Sequence, residues 1–414
     1  MKNKCDLAVI GGGAAGLMCA LTAAERGLDV LILEPNKLMG RKVRITGKGR
    51  CNVTNNCDIR EFMANVPSNG KFLYSALNNL TPRDTIDFFQ SRGLPLKTER
   101  GNRVFPVSDN ANDVADFLTY QCEKQNVSFI HTHVRDIRAS GGAVCAVETD
   151  RGEICCRAAA VCTGGMSYPL TGSKGDGYGF ARKFGHRITE PGPSLVPLES
   201  GDDYCAEMQG FSLRNVTLSA YEDGKLIFRE LGEMLFTHFG VSGPLVLSAS
   251  SHMRSMGKCT YSLKIDLKPA LDEKKLDARI LRDFGLFANK EFKNALDRLA
   301  GRAMIPVLIK LSGIPEDQKV NSITHEQRMG LVKLFKEFPV SVTGTRPIDE
   351  AIVTSGGVST KEVNPRTMES KLVKGLYFAG EVLDVDAYTG GFNLQIAWST
   401  GYTCGKSVLK DEFE

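Results

Sequence analysis

The sequence predicts an α/β fold built on an open, mostly parallel sheet, and three observations support this prediction. The chain begins with a short apolar strand at residues 5–10, which runs directly into a glycine-rich turn and a helix of small residues. A second apolar run follows at residues 30–33. Near the other end, residues 376–379 form a third apolar run that leads into glycines and a final helix. Strands that alternate with helices in this way indicate βαβ units and a parallel sheet.

The first turn, GGGAAG, has the spacing of a dinucleotide-binding fingerprint. Gly11 allows the tight turn, Gly13 allows a pyrophosphate to approach the backbone, and Gly16 allows the helix to pack closely on the strand. Ala14 and Ala15 open that helix, and its N-terminus favours a phosphate. The turn is therefore a candidate site for a dinucleotide.

Glu34 ends the second strand, about 20 residues after the glycines. A carboxylate at this position accepts hydrogen bonds from ribose hydroxyls and repels a 2′-phosphate. We therefore expect an unphosphorylated adenosine dinucleotide, either FAD or NAD. A glycine turn without a ligand is the alternative, but the strand, the glycines, the helix, the second strand and the acid all occur in register.

Composition narrows the class of protein. The chain has 414 residues, of which 42% are hydrophobic and 24% charged, as in a soluble globular protein of two or three domains. Its net charge is +4 and it has no Lys/Arg-rich block, so we expect no nucleic-acid partner. The fold begins by residue 5 and no apolar run reaches about 18 residues. We therefore expect neither a signal peptide nor a membrane span, and a cytoplasmic protein.

The cysteines and histidines give no pattern typical of a metal site. The 12 cysteines are scattered without a CxxC pair, and the 6 histidines are dispersed. His131 and His133 would lie on one face of a strand, but two ligands are too few to hold a metal ion. We expect free thiols in a reducing compartment and no metal.

Residues 40–55 are rich in glycine, basic and amide side chains and offer little to bury. We expect a loop that wraps a polar ligand. Lys42, Lys48 and Arg50 would supply positive charge, and Asn52, Thr54 and Asn55 would supply hydrogen bonds. A solvated basic loop is the alternative. Helices are predicted at residues 82–93 and 112–125.

A second ligand-binding turn is predicted after the apolar run at residues 158–162. Thr163, Gly164 and Gly165 follow this run directly, at the kind of strand end where open α/β sheets place their ligands. A helix is predicted at residues 178–184. Alternating residues predict strands at 127–137 and 144–147.

The middle of the chain has a different pattern. Residues 216–221 and 226–236 flank the turn EDGK, which predicts a β-hairpin, and residues 261–267 alternate like a half-buried strand. Residues 272–338 have apolar residues at helical spacing. We expect a dinucleotide-binding domain at 1–190 and 341–414, a β-rich insert at 191–270 and a helical insert nested within it at 271–340.

Five segments, taken together, resemble the BaiN-like family of FAD-dependent flavoproteins, which includes aminoacetone-oxidase-like relatives. The resemblance covers nearly the whole chain and rests on GGGAAG with Glu34, GRKVRITGKGRCNVTN, CTGGMSYPLTGSKGDGYG, LFTHFGVSGP and GLYFAGEVLDVDAYTGGFNLQIAWSTGY. It implies a Rossmann-type, glutathione-reductase-like FAD domain completed by both chain ends, with the β-rich and helical inserts between them. Lys174 departs from the family pattern, where a small hydroxyl residue is expected.

The resemblance also implies which residues bind FAD. The pyrophosphate would lie on residues 11–16, the adenosine ribose on Glu34 and the adenine near the Val134 backbone. The other implied contacts are with the ribityl chain, the phosphates and the flavin, and they involve Lys42, Arg50, Cys51, Asn52, Thr163, Gly164, Gly165, Gly380, Glu381, Asp386, Gly391, Asn393, Leu394 and Gln395.

The activity implied is hydride transfer through flavin N5. The chain contains no second dinucleotide fingerprint, so NAD(P)H would visit the flavin transiently, or the substrate itself would reduce it. The specific hypothesis is reduction of a C=C bond conjugated to the ketone of a 3-oxo-Δ4 or Δ4,6 steroid, as in bile acid 7-dehydroxylation. Tyr168, Tyr388 and His238 are the candidate proton donors. The alternatives are an oxidase of a small amine or amino ketone that uses O₂, and a protein that binds FAD without catalysis.

Overall fold

The computed structural model describes residues 3–410, and these form two compact units. The first, here called the two-ended unit, contains the chain up to Ser194 and from Pro347 onward. The second, the inserted unit, spans Leu195–Arg346. Within residues 3–410, no helix combines the length and apolar character needed to cross a membrane.

Both units mix strands and helices. In chain order the strands are β1 (Lys4–Ile10), β2 (Val30–Leu33), β3 (Thr54–Asn55), β4 (Leu96–Glu99), β5 (Arg103–Pro106), β6 (Ser128–Ile130), β7 (Val134–Ser140), β8 (Ala143–Thr149), β9 (Gly152–Val161), β10 (Ile188–Ser194), β11 (Leu198–Glu199), β12 (Ser212–Glu222), β13 (Lys225–Thr237), β14 (Gly240–Ser242), β15 (Tyr261–Asp266), β16 (Phe338–Val342), β17 (Gly344–Thr345), β18 (Val353–Val358) and β19 (Leu376–Phe378). The helices are α1 (Ala14–Ala24), α2 (Arg41–Gly49), α3 (Ile59–Ala64), α4 (Tyr74–Asn79), α5 (Pro82–Ser91), α6 (Ala111–Lys124), α7 (Asp176–Lys183), α8 (Asp203–Glu207), α9 (Pro244–Ser250), α10 (Glu273–Leu286), α11 (Ile305–Ser312), α12 (His325–Lys336) and α13 (Phe392–Ser407).

The two-ended unit is built on a parallel sheet, so the predicted fold class is confirmed. Strands β6, β2, β1, β9 and β19 lie side by side and parallel, and β8 and β7 extend β9 as an antiparallel meander. β2 and β19 are buried along their length, and β1 and β9 are buried over residues 7–10 and 158–161, which explains why these stretches read as continuous apolar runs rather than alternating ones. The glycine-rich turns after β1, β9 and β19 therefore lie at the same edge of the sheet.

The first and last helices of the two-ended unit pack together through small residues. A Cβ atom on Gly401 would lie 2.4 Å from the Ala15 carbonyl oxygen, and one on Gly405 would lie 2.4 Å from that of Cys19. Only glycine allows the backbones of α13 and α1 to approach this closely. The C-terminal helix thus completes the layer that begins with the N-terminal glycine turn.

Two local predictions are wrong. Residues 40–55 are not a loop throughout, because α2 begins at Arg41 and becomes non-helical only at Thr46, Gly47 and Lys48. The pair His131 and His133 does not lie within a strand, because residues 131–133 connect β6 to β7. Short segments rich in polar residues carry little periodic signal, which accounts for both errors.

The inserted unit is a seven-stranded sheet with helices inserted between two of its strands. The sheet order is β16-β15-β12-β13-β14-β11-β17, and the predicted hairpin β12–β13 is present, with Asp223 and Gly224 both at positive φ in its turn. Helices α10, α11 and α12 lie between β15 and β16, which pair with each other. β16 includes Phe338, so the predicted helical stretch ends before that residue. The separation of residues 191–270 from 271–340 stays a prediction.

Candidate functional site

The candidate site lies at the edge of the parallel sheet where its strands end. The backbone N–H of Gly11 donates to the Leu33 carbonyl at 2.9 Å, and that of Cys162 donates to the Ile10 carbonyl at 2.8 Å. The N–H of Ala379 donates to the Val161 carbonyl at 3.2 Å. These bonds tie the starts of three turns together, so Gly11–Gly16, Thr163–Gly165 and Gly380–Glu381 converge although they are far apart in sequence.

The first glycine turn has the space that a dinucleotide needs. A Cβ atom on Gly16 would lie 1.9 Å from the Gly11 carbonyl oxygen, whereas a Cβ atom on Gly13 would meet nothing within 4 Å. Gly13 is the N-cap of α1 and has no side-chain capping bond. The N-terminus of α1 therefore faces open space, and its amides and dipole suit a phosphate. The turn fits a dinucleotide pyrophosphate.

Glu34 is held against this turn by hydrogen bonds. One carboxylate oxygen accepts from the Gly12 N–H at 2.9 Å, and the other accepts from the backbone and side-chain N–H groups of Asn36 at 3.0 and 2.6 Å. A carboxylate has about four acceptor positions, so it can still accept from ribose hydroxyls. The backbone of Glu34 also bonds to Ile130 and Thr132, which brings the segment that leads to Val134 alongside it.

A partly buried cluster of polar side chains joins four distant segments. The Lys42 ammonium donates to Ser167 Oγ and to Glu381 Oε2, both at 2.7 Å. Glu381 Oε1 accepts from Ser167 Oγ at 3.0 Å and from the Thr354 N–H at 2.9 Å. Thr354 Oγ1 accepts from the N–H groups of Met166 and Ser167 at 2.7 and 3.1 Å. The cluster fixes the turns after β9 and β19 relative to α2.

Residues 50–52 have structural roles within the two-ended unit. The Arg50 guanidinium forms ion pairs with Glu99 and Asp109, both at 2.5 Å, and stacks on the Phe105 ring. Cys51 is fully buried, and burial raises the pKa of its thiol to about 12. Asn52 Oδ1 accepts from the Val104 N–H. The Arg50 side chain is therefore directed to a surface ion-pair network, and Cys51 is a packed thiol rather than a reactive one.

The C-terminal loop before α13 is held together by its own side chains. Asn393 bonds to the backbone of Ala387 and Tyr388, and Asp386 accepts from Ser194 Oγ at 2.7 Å. The Gln395 side chain is fully buried. It bonds to Thr54, Leu80, Thr85 and Ser399, so it leaves no side-chain group for a flavin. Gly391 and Leu394 are partly exposed at the start of α13.

The three candidate proton donors lie in different places. Tyr168 is partly buried in the turn after β9, and its ring centre is 5.8 Å from the Lys42 ammonium. Its φ of 52° is unusual for a bulky residue and stores strain, which is common at functional sites. Tyr388 lies in the C-terminal loop. His238 is exposed between β13 and β14 in the inserted unit.

Two residues of this site, Ser167 and Thr354, were not predicted. They complete the Lys42 cluster, and the glycines that follow Thr354 in the sequence were the signal that could have found them. Asn55 and Thr163 were both named from the sequence, and each has a buried side-chain oxygen, Oδ1 and Oγ1, without a hydrogen-bond partner in the described residues. Buried polar atoms of this kind usually have a partner, so both mark places where a ligand atom would fit.

The two-ended unit has a parallel sheet, a glycine turn at a helix N-terminus and an acid after the second strand, and its C-terminal segment adds a second set of turns at the same edge. Together these features define a dinucleotide-binding flavoprotein. The chain belongs to the HI0933-like Rossmann-domain family, which matches residues 5–407. It is an FAD-dependent oxidoreductase. The cofactor expected from the sequence is thereby confirmed.

Two curated relatives and one solved structure illustrate the similarity. The chain is 32% identical to a ribosomal RNA dihydrouridine synthase of Escherichia coli over 98% of each chain. It is also 32% identical to a 3-dehydro-bile acid delta(4,6)-reductase of Clostridium scindens, over 98% of this chain and 99% of the relative. The structure of a 3-ketosteroid delta1-dehydrogenase from Sterolibacterium denitrificans has a TM-score of 0.52 at 13% identity, covering 98% of this chain and 99% of that one. That likeness shows the fold alone.

Proposed function

We propose that this chain reduces a carbon–carbon double bond conjugated to a carbonyl group. The observation that carries the proposal is that two full-length relatives, each 32% identical, are named for the same change in unlike substrates. A dihydrouridine is a uridine whose ring double bond has been saturated beside a carbonyl. A Δ4,6-reductase of a 3-dehydro bile acid saturates double bonds conjugated to a ketone. In both cases a hydride adds to one carbon of the conjugated double bond, and a proton adds to the neighbouring carbon.

The residues proposed to hold FAD are those implied by the sequence, with two changes. The open space at Gly13 supports binding of the pyrophosphate at α1, and the position of Glu34 supports binding of the ribose. Asn55 joins the set because of its unpartnered buried oxygen, and the unpartnered oxygen of Thr163 supports its place in it. The side chains of Arg50 and Gln395 leave it. When bound, FAD supplies the hydride from N5 of its reduced ring.

We assign the proton-donor role to Tyr168 Oη. The backbone at Tyr168 is strained, and the ring lies beside the Lys42–Glu381 pair, in the turn after β9. A phenol there donates its proton to the carbon next to the carbonyl and recovers a proton from water. Lys42 and Glu381 keep the turn in place, so the phenol is presented in one position.

Two substrates satisfy this chemistry. A 3-oxo-Δ4 or Δ4,6 steroid with NAD(P)H as the donor is the substrate expected from the sequence, and the bile-acid relative supports it. Uridine in ribosomal RNA is supported at the same identity by the E. coli relative, in contrast to the expectation of no nucleic-acid partner. Both substrates would undergo the same reaction, so an experiment must decide between them.

The first experiment follows the flavin spectrum anaerobically. The FAD-loaded protein is reduced with NADH or NADPH and is then mixed with a 3-oxo-Δ4,6 steroid, with its saturated counterpart, or with ribosomal RNA from an E. coli strain that lacks its dihydrouridine synthase. We expect one conjugated substrate to restore the oxidised spectrum and the saturated steroid to leave it reduced. If neither nicotinamide bleaches the flavin, the reductase proposal is wrong. Reduction of the flavin by an amine, with O₂ as the sole oxidant, would identify the oxidase alternative.

The second experiment separates the two half-reactions. Tyr168→Phe removes only the phenol oxygen, so we expect flavin reduction by the nicotinamide to be unchanged and reoxidation by substrate to slow about 100-fold. Tyr120→Phe, at an exposed position on α6, is the matched control. Equal reoxidation rates in both variants would exclude Tyr168 as the donor. Expression in the E. coli strain above, with mass spectrometry of its ribosomal RNA, tests uridine as the substrate in cells.

A further inference from the structure

A basic cavity lies in the two-ended unit, away from the candidate FAD site. It has a volume of about 660 Å³ and is lined by residues that precede β19, by the C-terminal end of α13 and by the middle of β9. Arg157, in its lining, lies on β9 six residues before Thr163, which corresponds to about 20 Å along a strand. The glycine turns are at the other end of these strands, so the cavity is not part of the FAD site.

The lining carries a strong excess of positive charge. Its charged side chains are those of Arg157, Arg366, Lys374, Lys406, Lys410 and Glu369. The single carboxylate is engaged, because Glu369 Oε1 accepts from the Gly375 N–H at 2.8 Å. Arg157 is paired with Asp6 at 3.1 Å, and Lys406 lies 5.9 Å from the Tyr402 ring centre. The chain as a whole has a net charge of only +4, so this concentration of charge is local.

Three of these cations have no ionic partner among residues 3–410. Arg366, Lys374 and Lys406 are all exposed and form no ion pair with a described residue. By contrast, Arg50 on the same unit contacts two carboxylates. Cations that line one cavity repel each other, and an anion in the cavity would relieve that repulsion.

We propose that this cavity binds the phosphate groups of a second ligand, separate from FAD. The guanidinium of Arg366 suits bidentate binding of a phosphate, and the ammonium groups of Lys374 and Lys406 add point charges. A volume of this size admits a nucleotide. The same chemistry is offered by the backbone of RNA and by a free nucleotide, and the proposal does not depend on the substrate of the flavin site.

The test uses the full-length, FAD-saturated protein, so the FAD site is already filled. A fluorescent single-stranded RNA oligomer and ATP are titrated separately at several salt concentrations. We expect binding of at least one probe, weakening as salt rises. We expect Arg366→Glu and Lys374→Glu each to weaken it about tenfold or more. Lys274→Glu and Arg302→Glu, at exposed positions of the inserted unit, are the matched controls and should bind as the unchanged protein does.

The outcomes distinguish the sources of phosphate. Binding of RNA without ATP assigns the cavity to an RNA backbone, and binding of ATP assigns it to a nucleotide. Absence of binding by both probes, or equal binding by all four variants, overturns the proposal. Unchanged flavin absorbance in each variant shows that the variant is folded. Unchanged ene-reduction of a steroid would show that a loss of probe binding does not come from a failure of the flavin site.

The C-terminal residues supply a further control. Asp411, Glu412 and Glu414 follow Lys410 in the sequence and lie outside the described residues. A full-length variant with Asp411→Asn, Glu412→Gln and Glu414→Gln removes their charge. We expect both this variant and the unchanged protein to bind the probe. Binding by the neutralised variant alone would mean that the cavity serves the chain's own acidic end, which would overturn the proposal.

Discussion

At the scale of single residues, the candidate site depends on the ion pair between Lys42 and Glu381. The two side chains are 22% and 21% exposed and lie 2.7 Å apart. Ser167 Oγ and the Thr354 N–H donate hydrogen bonds to the second carboxylate oxygen of Glu381, so the whole cluster is hydrogen-bonded. When one partner of such a pair is removed, the other keeps an uncompensated charge away from bulk water.

Lys42→Met tests the contribution of this pair. We expect the free energy of unfolding of the FAD-free protein to fall by about 1–3 kcal/mol, because Glu381 loses its cation while staying partly buried. The measurement is urea denaturation. Lys264→Met is the control, since its partner Glu337 is 44% exposed at 2.9 Å, and its effect should stay within about 0.5 kcal/mol. Equal effects of the two substitutions would contradict the role given to the cluster.

Thiol reactivity gives a second prediction at this scale. Cys51 is buried and burial raises the pKa of its thiol to about 12, whereas Cys145 and Cys155 are exposed. Because only the thiolate reacts, iodoacetamide at pH 8 should label Cys145 or Cys155 in the native protein and Cys51 only after unfolding. Mass spectrometry identifies the labelled peptides. Rapid labelling of native Cys51 would contradict its assignment as a packed, unreactive thiol.

At the scale of elements, two glycines of the β1–α1 turn have different roles, because one allows close packing and the other leaves space for a ligand. Gly16 packs against the Gly11 backbone at the start of the turn, whereas Gly13 faces open space with a φ of −84° that alanine also adopts. We expect Gly13→Ala to leave the unfolding free energy of the FAD-free protein nearly unchanged and to weaken FAD binding about tenfold or more, because its methyl group enters the space for the pyrophosphate. Fluorescence titration with FAD measures the affinity.

Gly16→Ala is the complementary variant. Its Cβ would overlap the Gly11 carbonyl oxygen, so the expected effect is loss of stability with or without FAD. If Gly13→Ala destabilises the FAD-free protein as much as Gly16→Ala does, the open space at Gly13 has no functional meaning.

The strand β19 carries a pH-dependent contact. His186 is buried, its ring packs edge-on at 4.9 Å from the Phe378 ring, and its Nε2 lies 2.8 Å from Ser370 Oγ. Burial lowers the pKa of His186, although Glu362, whose carboxylate is 3.5 Å from Nδ1, opposes this shift. The folded protein therefore binds this proton less readily than the unfolded chain does.

The sign of the effect follows from that difference. As pH falls below about 6.5, the unfolded chain takes up a proton that folded His186 resists, so the unfolding free energy decreases. We expect His186→Gln to show a smaller decrease between pH 7 and pH 5 in urea denaturation. His325→Gln, at an exposed position, should keep the original slope. Identical slopes for the two variants would refute the assignment.

At the scale of the whole molecule, the proposed FAD contacts would link the two ends of the chain. The proposed contacts come from residues before 166 and after 379, all in the two-ended unit. A ligand that binds only the folded state stabilises it by about 2.7 kcal/mol at 100 times its dissociation constant. Removal of FAD should therefore lower the melting temperature and increase hydrogen exchange at residues 11–16, 163–168 and 380–391. Unchanged exchange in these turns would place FAD elsewhere.

The fold could be predicted from the sequence to the extent that its signals are local. The apolar runs of β1, β2, β9 and β19, the GGGAAG turn and the Asp-Gly hairpin turn each have a pattern readable within a few residues. The kink in α2 and the connection that carries His131 have no such pattern, so both were predicted wrongly. The predicted helical stretch ran to residue 338, whereas α12 ends at Lys336 and β16 begins at Phe338. A buried apolar residue such as Phe338 fits a helical pattern and a strand pattern equally well.

The sequence by itself determined the fold class and the glycine turn that we propose binds FAD, because glycine spacing and strand apolarity are properties of neighbouring residues. Only the tertiary structure decided which side chains meet: that Lys42 pairs with Glu381, that Arg50 turns to Glu99 and Asp109, and that Gln395 is buried. It also brought the cations of the basic cavity together from three distant segments. Lys42 and Glu381, for example, are 339 positions apart, and the geometry of such contacts depends on packing that no local pattern encodes.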